Sequence, residues 1–226
     1  MPMTDIIILQ VGELLPGEFE TLYSMLSEYR KDRVDMLIYP EYKLVSMYTE
    51  LLIRYVAALR LGKEFKAIHI AHQENGKPYI AGCSDFHFSI SHSKNMIAFA
   101  VSDSETGIDI EVGGHEDERI VDRFFTEDEK ARYYEAHNHD QTFFEIWTAK
   151  EAYIKMYGGV LADMRCMPSV LKTEGISTWM IEDAIVSLCC KHTEDSSDYS
   201  VMEADFRMLT DNIIKKKSMI CWDSLC

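Results

Sequence analysis

The stretch Gly107-Ile108-Asp109-Ile110-Glu111 alternates apolar and acidic side chains in the pattern of a β-strand. Because alternate side chains of a strand point to the same side, Asp109 and Glu111 are predicted to share one face and the two isoleucines the other. Two carboxylates that lie so close repel each other unless a cation sits between them, and carboxylate oxygens suit Mg²⁺. The same spacing is also typical of a half-exposed strand with a solvated acidic face, and the strand alone does not distinguish the two.

Around this strand the chain combines helical and extended patterns, which predicts an α+β fold. Residues 96–102 and 106–111 are predicted to form a β-hairpin that turns at 102–105. The clearest helix is predicted over 41–61, with Pro40 in its first turn and Gly62 at its end. Further helices are predicted at 18–29 and 141–157, and further strands at 5–11, 66–71, 169–172, 184–190, 199–206 and 219–222.

The helix predicted at 141–157 carries a second group of ionisable residues. Trp147, Glu151 and Lys155 are spaced by four residues and therefore lie on about one face. Glu151 and Lys155 are consistent with a plain surface ion pair, or with a third metal carboxylate and a cation one turn away. Upstream, Thr126 followed by Glu129 has the spacing of a capping box at a helix start.

Three earlier segments carry groups that could contact an anion. Residues 30–33 form the cationic cluster Arg-Lys-Asp-Arg, residues 76–78 form a Gly-Lys-Pro turn, and residues 88–93 read Phe-Ser-Ile-Ser-His-Ser. Each also has an ordinary explanation, as a solvated helix end, a surface turn or a loop. No segment alone therefore predicts a function.

Composition limits the classes of function. The chain has 226 residues and a formal net charge of −15, which argues against a general nucleic-acid binder because phosphate contacts need clustered cations. Residues 1–103 contain 10 basic and 13 acidic residues, whereas 104–226 contain 13 and 25, so an anionic ligand is expected in the first half and a metal in the second. The sequence shows no apolar run long enough for a transmembrane helix and no charged signal-peptide start. Six cysteines without C-x-x-C spacing predict free thiols and a cytoplasmic protein.

In combination, these motifs resemble the surfactin-type 4′-phosphopantetheinyl transferases. The cationic cluster, the Gly-Lys-Pro turn, F-S-I-S-H-S, G-I-D-I-E, F-F-T-E-D-E and W-T-A-K-E-A-Y-I-K follow one another between residues 30 and 155. G-I-D-I-E followed about forty residues later by W-x-x-K-E-A-x-x-K is the specific part of the match. Ser89 stands where family members commonly have asparagine.

The resemblance implies an activity and an architecture. Family members transfer the phosphopantetheine arm of coenzyme A to a serine of an acyl or peptidyl carrier protein and release 3′,5′-ADP. Longer members contain two similar α+β halves in one chain, a pseudo-dimer, and act as monomers. For this chain the implied halves are residues 1–103, on the coenzyme A phosphate side, and 104–226, on the metal and catalytic side, with the site between them.

The resemblance also implies roles for individual residues. Asp109, Glu111 and Glu151 would hold Mg²⁺, with Mn²⁺ as the alternative metal. Glu151 and Lys155 would be catalytic, the first as a base for the carrier serine and the second at the pyrophosphate. The residues that would contact coenzyme A are Arg30, Arg33, Lys77, Ser91, His92 and Lys155. Lys150 belongs to the helix motif without an assigned role.

Two other functions use similar residues. A Mg²⁺-dependent nuclease or phosphodiesterase also needs paired carboxylates, a third acid and a lysine, but it needs a basic track that this chain lacks. A non-enzymatic protein that binds coenzyme A or a carrier would show binding without metal-dependent turnover. The three intact acids favour the enzyme over the binding protein.

Overall fold

The structure, a computed structural model, describes residues 4–191 and 199–215. Its strands are β1 (Thr4–Gln10), β2 (Ile70–His72), β3 (Pro78–Ile80), β4 (His87–Ser93), β5 (Met96–Ser102), β6 (Thr106–Val112), β7 (Ile176–Ile181), β8 (Ala184–Cys190) and β9 (Tyr199–Ala204). Its α-helices are α1 (Glu18–Ser24), α2 (Glu28–Met36), α3 (Pro40–Leu61), α4 (Glu118–Phe124), α5 (Glu127–Tyr134), α6 (His139–Tyr157) and α7 (Phe206–Ile214). This mixture of helices and sheets confirms the predicted α+β class.

Two sheets form the centre of the molecule. The first has the strand order β4-β5-β1-β9, in which β1 pairs antiparallel with β5 and parallel with β9. The second has the order β6-β8-β7 and is antiparallel throughout. A separate small pair, β2 with β3, lies near the turn at 73–77.

The predicted hairpin of β5 with β6 is wrong, although both strands exist. β5 hydrogen-bonds to β4 and β1 in the first sheet, whereas β6 pairs with β8 in the second. The turn at 102–105 therefore carries the chain from one sheet to the other. As a result, β6 lies close to β4, and the acidic strand faces the segment of serines and histidine.

The core of the molecule follows the period-2 alternation of β1. Ile6 and Ile8 pack on one side with Ile108 and Ile110 of β6, so the two sheets cover each other. Ile7 and Leu9 point the other way, into a core that contains the apolar face of α3. This arrangement explains why β1 is buried on both faces and carries four consecutive apolar residues.

Helix α3 confirms the helix predicted at 41–61. It begins at Pro40, whose missing N–H costs nothing in a first turn, and is capped by Gly62 in the left-handed conformation. Its apolar residues follow the helical period and are buried against the first sheet. Helix α6 likewise confirms the helix predicted at 141–157, extended by two residues at its start.

Several local predictions are corrected. The helix predicted at 18–29 is interrupted, because the Ser27 side chain accepts a hydrogen bond from Arg30 N and begins α2 as a separate helix. Residues 65–67 form a 3-10 turn, so the strand predicted at 66–71 begins only at Ile70, as β2. Residues 170–172 form a 3-10 turn where a strand is predicted at 169–172. β9 pairs with β1 in the first sheet, and α7 packs into the core beside it. The strand predicted at 219–222 lies outside the described residues. No helix in the described ranges is long and apolar enough to cross a bilayer.

Candidate functional site

Serine side chains of β4 join the first sheet to the second. Ser89 and Ser93 lie on the same face of the strand because they are four positions apart, which is an even offset. Ser89 Oγ accepts a hydrogen bond from Ile108 N at 3.0 Å, and Ser93 Oγ accepts one from Val112 N at 3.1 Å. Hydroxyl groups, rather than a backbone ladder, therefore hold β6 against β4 at these points.

Asp109 is the most buried acid at this junction, with 3% of its surface exposed. Its Oδ1 accepts hydrogen bonds from Ser91 Oγ at 2.7 Å and from Lys155 Nζ at 2.5 Å. Its Oδ2 is buried and has no hydrogen-bond partner among the described residues. A buried carboxylate oxygen without a partner is costly, so this atom marks a position where a further cation would be favourable.

The Asp109 carboxylate interacts electrostatically with both Glu111 and Glu151. Burial raises the pKa of Glu111 above its ordinary value, and the Asp109 carboxylate adds to the rise, although a 2.7 Å hydrogen bond from Ser93 opposes it. Burial also raises the pKa of Glu151, again with a contribution from Asp109 and opposition from Lys155. The Asp109 carboxylate therefore disfavours the ionised forms of Glu111 and Glu151, which is the electrostatic condition that a divalent cation relieves.

Gly107 explains how α6 approaches the acidic strand. A Cβ atom at residue 107 would lie 1.9 Å from Ala152 O and 2.5 Å from Met156 N, both backbone atoms of α6. Only glycine allows a helix backbone and a strand backbone to pack this closely. The glycine of the G-I-D-I-E motif thus brings Glu151 and Lys155 to the carboxylates two and four residues further along β6.

The donor set fits Mg²⁺ better than a softer metal. Asp109, Glu111 and Glu151 offer only carboxylate oxygens, and the unpartnered Oδ2 of Asp109 is one of them. As the side chains stand, no three His, Cys, Asp or Glu residues in the described part of the chain form a group that could hold a metal. The Lys155 ammonium pairs with Asp109 Oδ1 at 2.5 Å, which leaves Oδ2 as the oxygen of Asp109 that would face a metal.

The positive charges of Lys155 and Arg30 both act on His92. Burial lowers the pKa of His92, and the charges of Lys155 and Arg30 lower it further, so the imidazole is held neutral. Arg30 Nη1 donates to Ser46 Oγ at 3.3 Å, and its Nε lies 3.8 Å from the Glu50 carboxylate. Arg30 is therefore partly buried and held against α3, and its charge still acts on His92.

Arg33 makes its side-chain hydrogen bond within α2. Its Nη1 donates to Tyr29 OH at 2.9 Å, and the Tyr29 ring packs 4.5 Å from the His72 ring. Burial lowers the pKa of His72, and the charges of Arg30 and Arg33 lower it further. Both arginines therefore act on His72, and Arg30 also acts on His92.

Lys77 occupies a separate position. Its Nζ donates to Glu105 Oε2 at 2.8 Å and to Met156 O, near the end of α6, at 3.1 Å. It lines a cleft of about 550 Å³ together with His87 and Glu105. Lys77 is therefore near the acidic site, because Met156 follows Lys155 directly. Within the described residues its ammonium group contacts Glu105 and Met156 O rather than the three acids.

Lys150 faces away from the site although it belongs to the same motif. Its side chain is fully buried and pairs with the fully buried Glu129 at 2.9 Å. Glu129 also accepts hydrogen bonds from Thr126 N at 2.7 Å and Val170 N at 2.8 Å, the first of which is one half of the predicted capping box. Lys150 is thus a structural residue that ties α6 to the start of α5.

Sequence reasoning missed three polar residues around the site. Ser89 and Ser93 support β6, and their spacing from Ser91 is the period of a strand, which is a signal that could have identified them. Glu105 pairs with Lys77 across 28 residues, and no pattern in the sequence indicates this pairing.

Comparison with known proteins defines the class. A family model described as the 4′-phosphopantetheinyl transferase superfamily matches residues 105–201, and a model of the 4′-phosphopantetheinyl transferase N-terminal region matches residues 15–104. Together the two models cover most of the chain, and the N-terminal model ends at residue 104, directly before the superfamily model begins at residue 105. The chain belongs to the 4′-phosphopantetheinyl transferase superfamily.

Individual relatives carry the same description. The chain is 33% identical over 147 residues to a 4′-phosphopantetheinyl transferase of Bacillus subtilis, covering 64% of this chain and 66% of the relative. It is 33% identical to psf-1 of Bacillus pumilus, covering 59% of each, and 38% identical to gsp of Aneurinibacillus migulanus, covering 50% of this chain and 48% of the relative. The matched stretch thus spans about half to two thirds of the length of these curated relatives.

Proposed function

We propose that this protein transfers the 4′-phosphopantetheine arm of coenzyme A to a serine of an apo acyl or peptidyl carrier protein. The observation that carries the proposal is the junction of Ser91, Asp109 and Lys155, where a cation and an unpartnered buried carboxylate oxygen meet between the two sheets. Family membership supports it, because the relatives named above are 4′-phosphopantetheinyl transferases.

The proposed metal ligands are Asp109, Glu111 and Glu151. When bound there, Mg²⁺, or Mn²⁺ in its place, would supply charge neutralisation and orientation of the pyrophosphate. The raised pKa values of Glu111 and Glu151 support this assignment, since both buried acids gain from a neighbouring cation.

The chain's own residues account for the remaining chemistry. The carrier serine oxygen attacks the phosphorus that bears the pantetheine arm, the bond to the bridging oxygen breaks, and 3′,5′-ADP leaves. Glu151, whose pKa is raised toward the range of a general base, accepts the serine proton directly or through water. Lys155 stabilises the negative charge that develops on the leaving group.

The proposed coenzyme A contacts lie on the first half of the chain. Arg30 and Arg33 would face the 3′-phosphate, while Ser91 and the neutral His92 would donate hydrogen bonds to phosphate oxygens. Lys77 would reach the ligand from the neighbouring cleft. We also propose the halves 1–103 and 104–226, because Ser91 and Asp109, on the two sides of this boundary, build one site within a single chain.

A monomer and a cytoplasmic location follow from the proposal. Each chain supplies both the serine strand and the acidic strand, so a second copy is not needed to complete the site. Coenzyme A and apo carrier proteins would have to reach that site together, which the cytoplasm provides.

Intact-mass spectrometry of carrier proteins tests the proposal directly. The protein is mixed with coenzyme A, Mg²⁺ and a panel of apo carriers, with and without chelator, and with carriers whose acceptor serine is replaced by alanine. A metal-dependent mass gain of one phosphopantetheine arm is expected only on carriers with the serine. Detectable coenzyme A binding without any gain would instead indicate a binding protein, and no binding at all would favour a phosphodiesterase.

A further inference from the structure

The ammonium group of Lys77 already has two partners in the protein. Glu105 Oε2 accepts from Lys77 Nζ at 2.8 Å, and Met156 O accepts at 3.1 Å. Only 16% of the Lys77 side chain is exposed, whereas 43% of the Glu105 side chain is. The lysine is therefore held against the wall of the cleft while the carboxylate remains open to it.

His87 shares the same carboxylate. Its Nδ1 lies 3.4 Å from Glu105 Oε1, on the other side of the group from Lys77. Burial acts to raise the pKa of Glu105, but hydrogen bonds and charges from Lys77 and His87 outweigh it, and the pKa lies below its ordinary value. Glu105 is consequently ionised at neutral pH, and the charge of Lys77 is cancelled inside the cleft.

We propose that Glu105 competes with the phosphate groups of coenzyme A for Lys77 and thereby sets the affinity of the cleft for its anionic ligand. This inference rests on the proposed function, in which Lys77 contacts coenzyme A. A phosphate that approaches Lys77 meets the Glu105 carboxylate within the same few ångströms. It must displace that carboxylate from the ammonium group, and breaking the Lys77–Glu105 contact weakens binding.

The competition gives the site a means of discrimination. A ligand whose several charges reach both Lys77 and the separate cations Arg30 and Arg33 offsets the lost Lys77–Glu105 contact, whereas a singly charged metabolite does not. Glu105 is thus a specificity-determining residue that favours highly charged ligands over weakly charged ones. The carboxylate acts through Lys77, so its effect must vanish when the lysine is absent.

Isothermal titration of coenzyme A into the full chain with Mg²⁺ tests the inference. Glu105→Gln keeps the side-chain shape and removes the charge, and it is expected to tighten coenzyme A binding about 3- to 10-fold. The matched control is Asp103→Asn, which removes one charge from an exposed residue of the same turn and is expected to change the affinity less than 2-fold. In a Lys77→Met background, Glu105→Gln is expected to have no effect on the dissociation constant.

The outcomes separate the inference from the proposed function. Weaker or unchanged binding by Glu105→Gln would overturn the inference, as would equal tightening in the Lys77→Met background. In those cases the wild-type protein still binds coenzyme A and the proposed function stands. If neither the wild type nor any variant binds coenzyme A, the proposed function and the inference fail together.

Discussion

The buried pair of Lys150 and Glu129 makes the strongest prediction about stability. Both side chains are fully buried, and the Glu129 carboxylate accepts from Lys150 Nζ at 2.9 and 3.2 Å and from two backbone N–H groups. A carboxylate has about four acceptor sites, so this one is saturated. Replacing either residue leaves a buried charge without its partner, which is expected to cost about 3–5 kcal/mol.

The two single variants are not equivalent. In Lys150→Met, Glu129 keeps the hydrogen bonds from Thr126 N and Val170 N. The free energy of unfolding is therefore expected to fall by about 3 kcal/mol, the lower end of the range. In Glu129→Gln, the ammonium of Lys150 loses its counterion and one backbone donor loses its acceptor, so the loss is expected near 5 kcal/mol. The double variant is expected to lose less than the sum, because neither charge is then left alone.

Urea denaturation followed by circular dichroism measures these differences. The matched control is Lys130→Met, whose lysine pairs with the exposed Glu127 and is expected to change the free energy of unfolding by less than about 1 kcal/mol. A domain of this kind has only about 5–15 kcal/mol of stability, so the buried variants are expected to shift the midpoint strongly. Losses below about 1 kcal/mol in both single variants would refute the claim that this pair ties α6 to α5.

Four further predictions concern the site. Asp109→Asn is expected to lower the transfer rate at least about 100-fold while the circular dichroism spectrum is retained, and a near-wild-type rate with Mg²⁺ would contradict its role as a ligand. Lys155→Met is expected to lower kcat more than coenzyme A affinity, and a pure loss of affinity would make it a binding residue only. Gly107→Ala is expected to lose about 3 kcal/mol or more in urea denaturation, since its Cβ would overlap Ala152 O, and a loss under about 1 kcal/mol would argue against the close packing. The pKa of Glu151 is raised in the folded protein, so without added metal the wild type loses stability as pH rises from the ordinary glutamate pKa through the raised one. Glu151→Gln cannot ionise and is therefore expected to gain stability relative to wild type over this range. A stability difference that does not change with pH would contradict the assignment.

Local patterns predicted the elements that local physics determines. The apolar face of α3 and its Pro40 and Gly62 boundaries are set by helical period and backbone conformation, and the structure agrees to within one residue. The alternation of residues 107–111 predicted a strand with its two acids on one face. The solvated acidic face that the same pattern also allowed does not describe Asp109, which is buried under β4 and α6.

Partner choice between distant segments could not be predicted in the same way. A turn signal at 102–105 favours a hairpin, but strand pairing is decided by which sheets cover each other, and β6 pairs with β8 instead. The Lys77–Glu105 contact and the burial of Lys150 depend on that same long-range packing. The prediction that Ser91, Asp109 and Lys155 share one site therefore came from motif similarity and not from local periodicity.

The parallel pairing of β1 with β9 has a consequence for synthesis on the ribosome. Asp5 accepts a hydrogen bond from Ser200, across 195 residues of sequence, so β1 emerges long before the strand that covers its edge. A nascent chain thus exposes an unpaired apolar strand for much of translation, and such edges invite pairing with other chains. We expect truncations of this protein that end before β9 to associate with chaperones or aggregate, because the β1 edge then stays open.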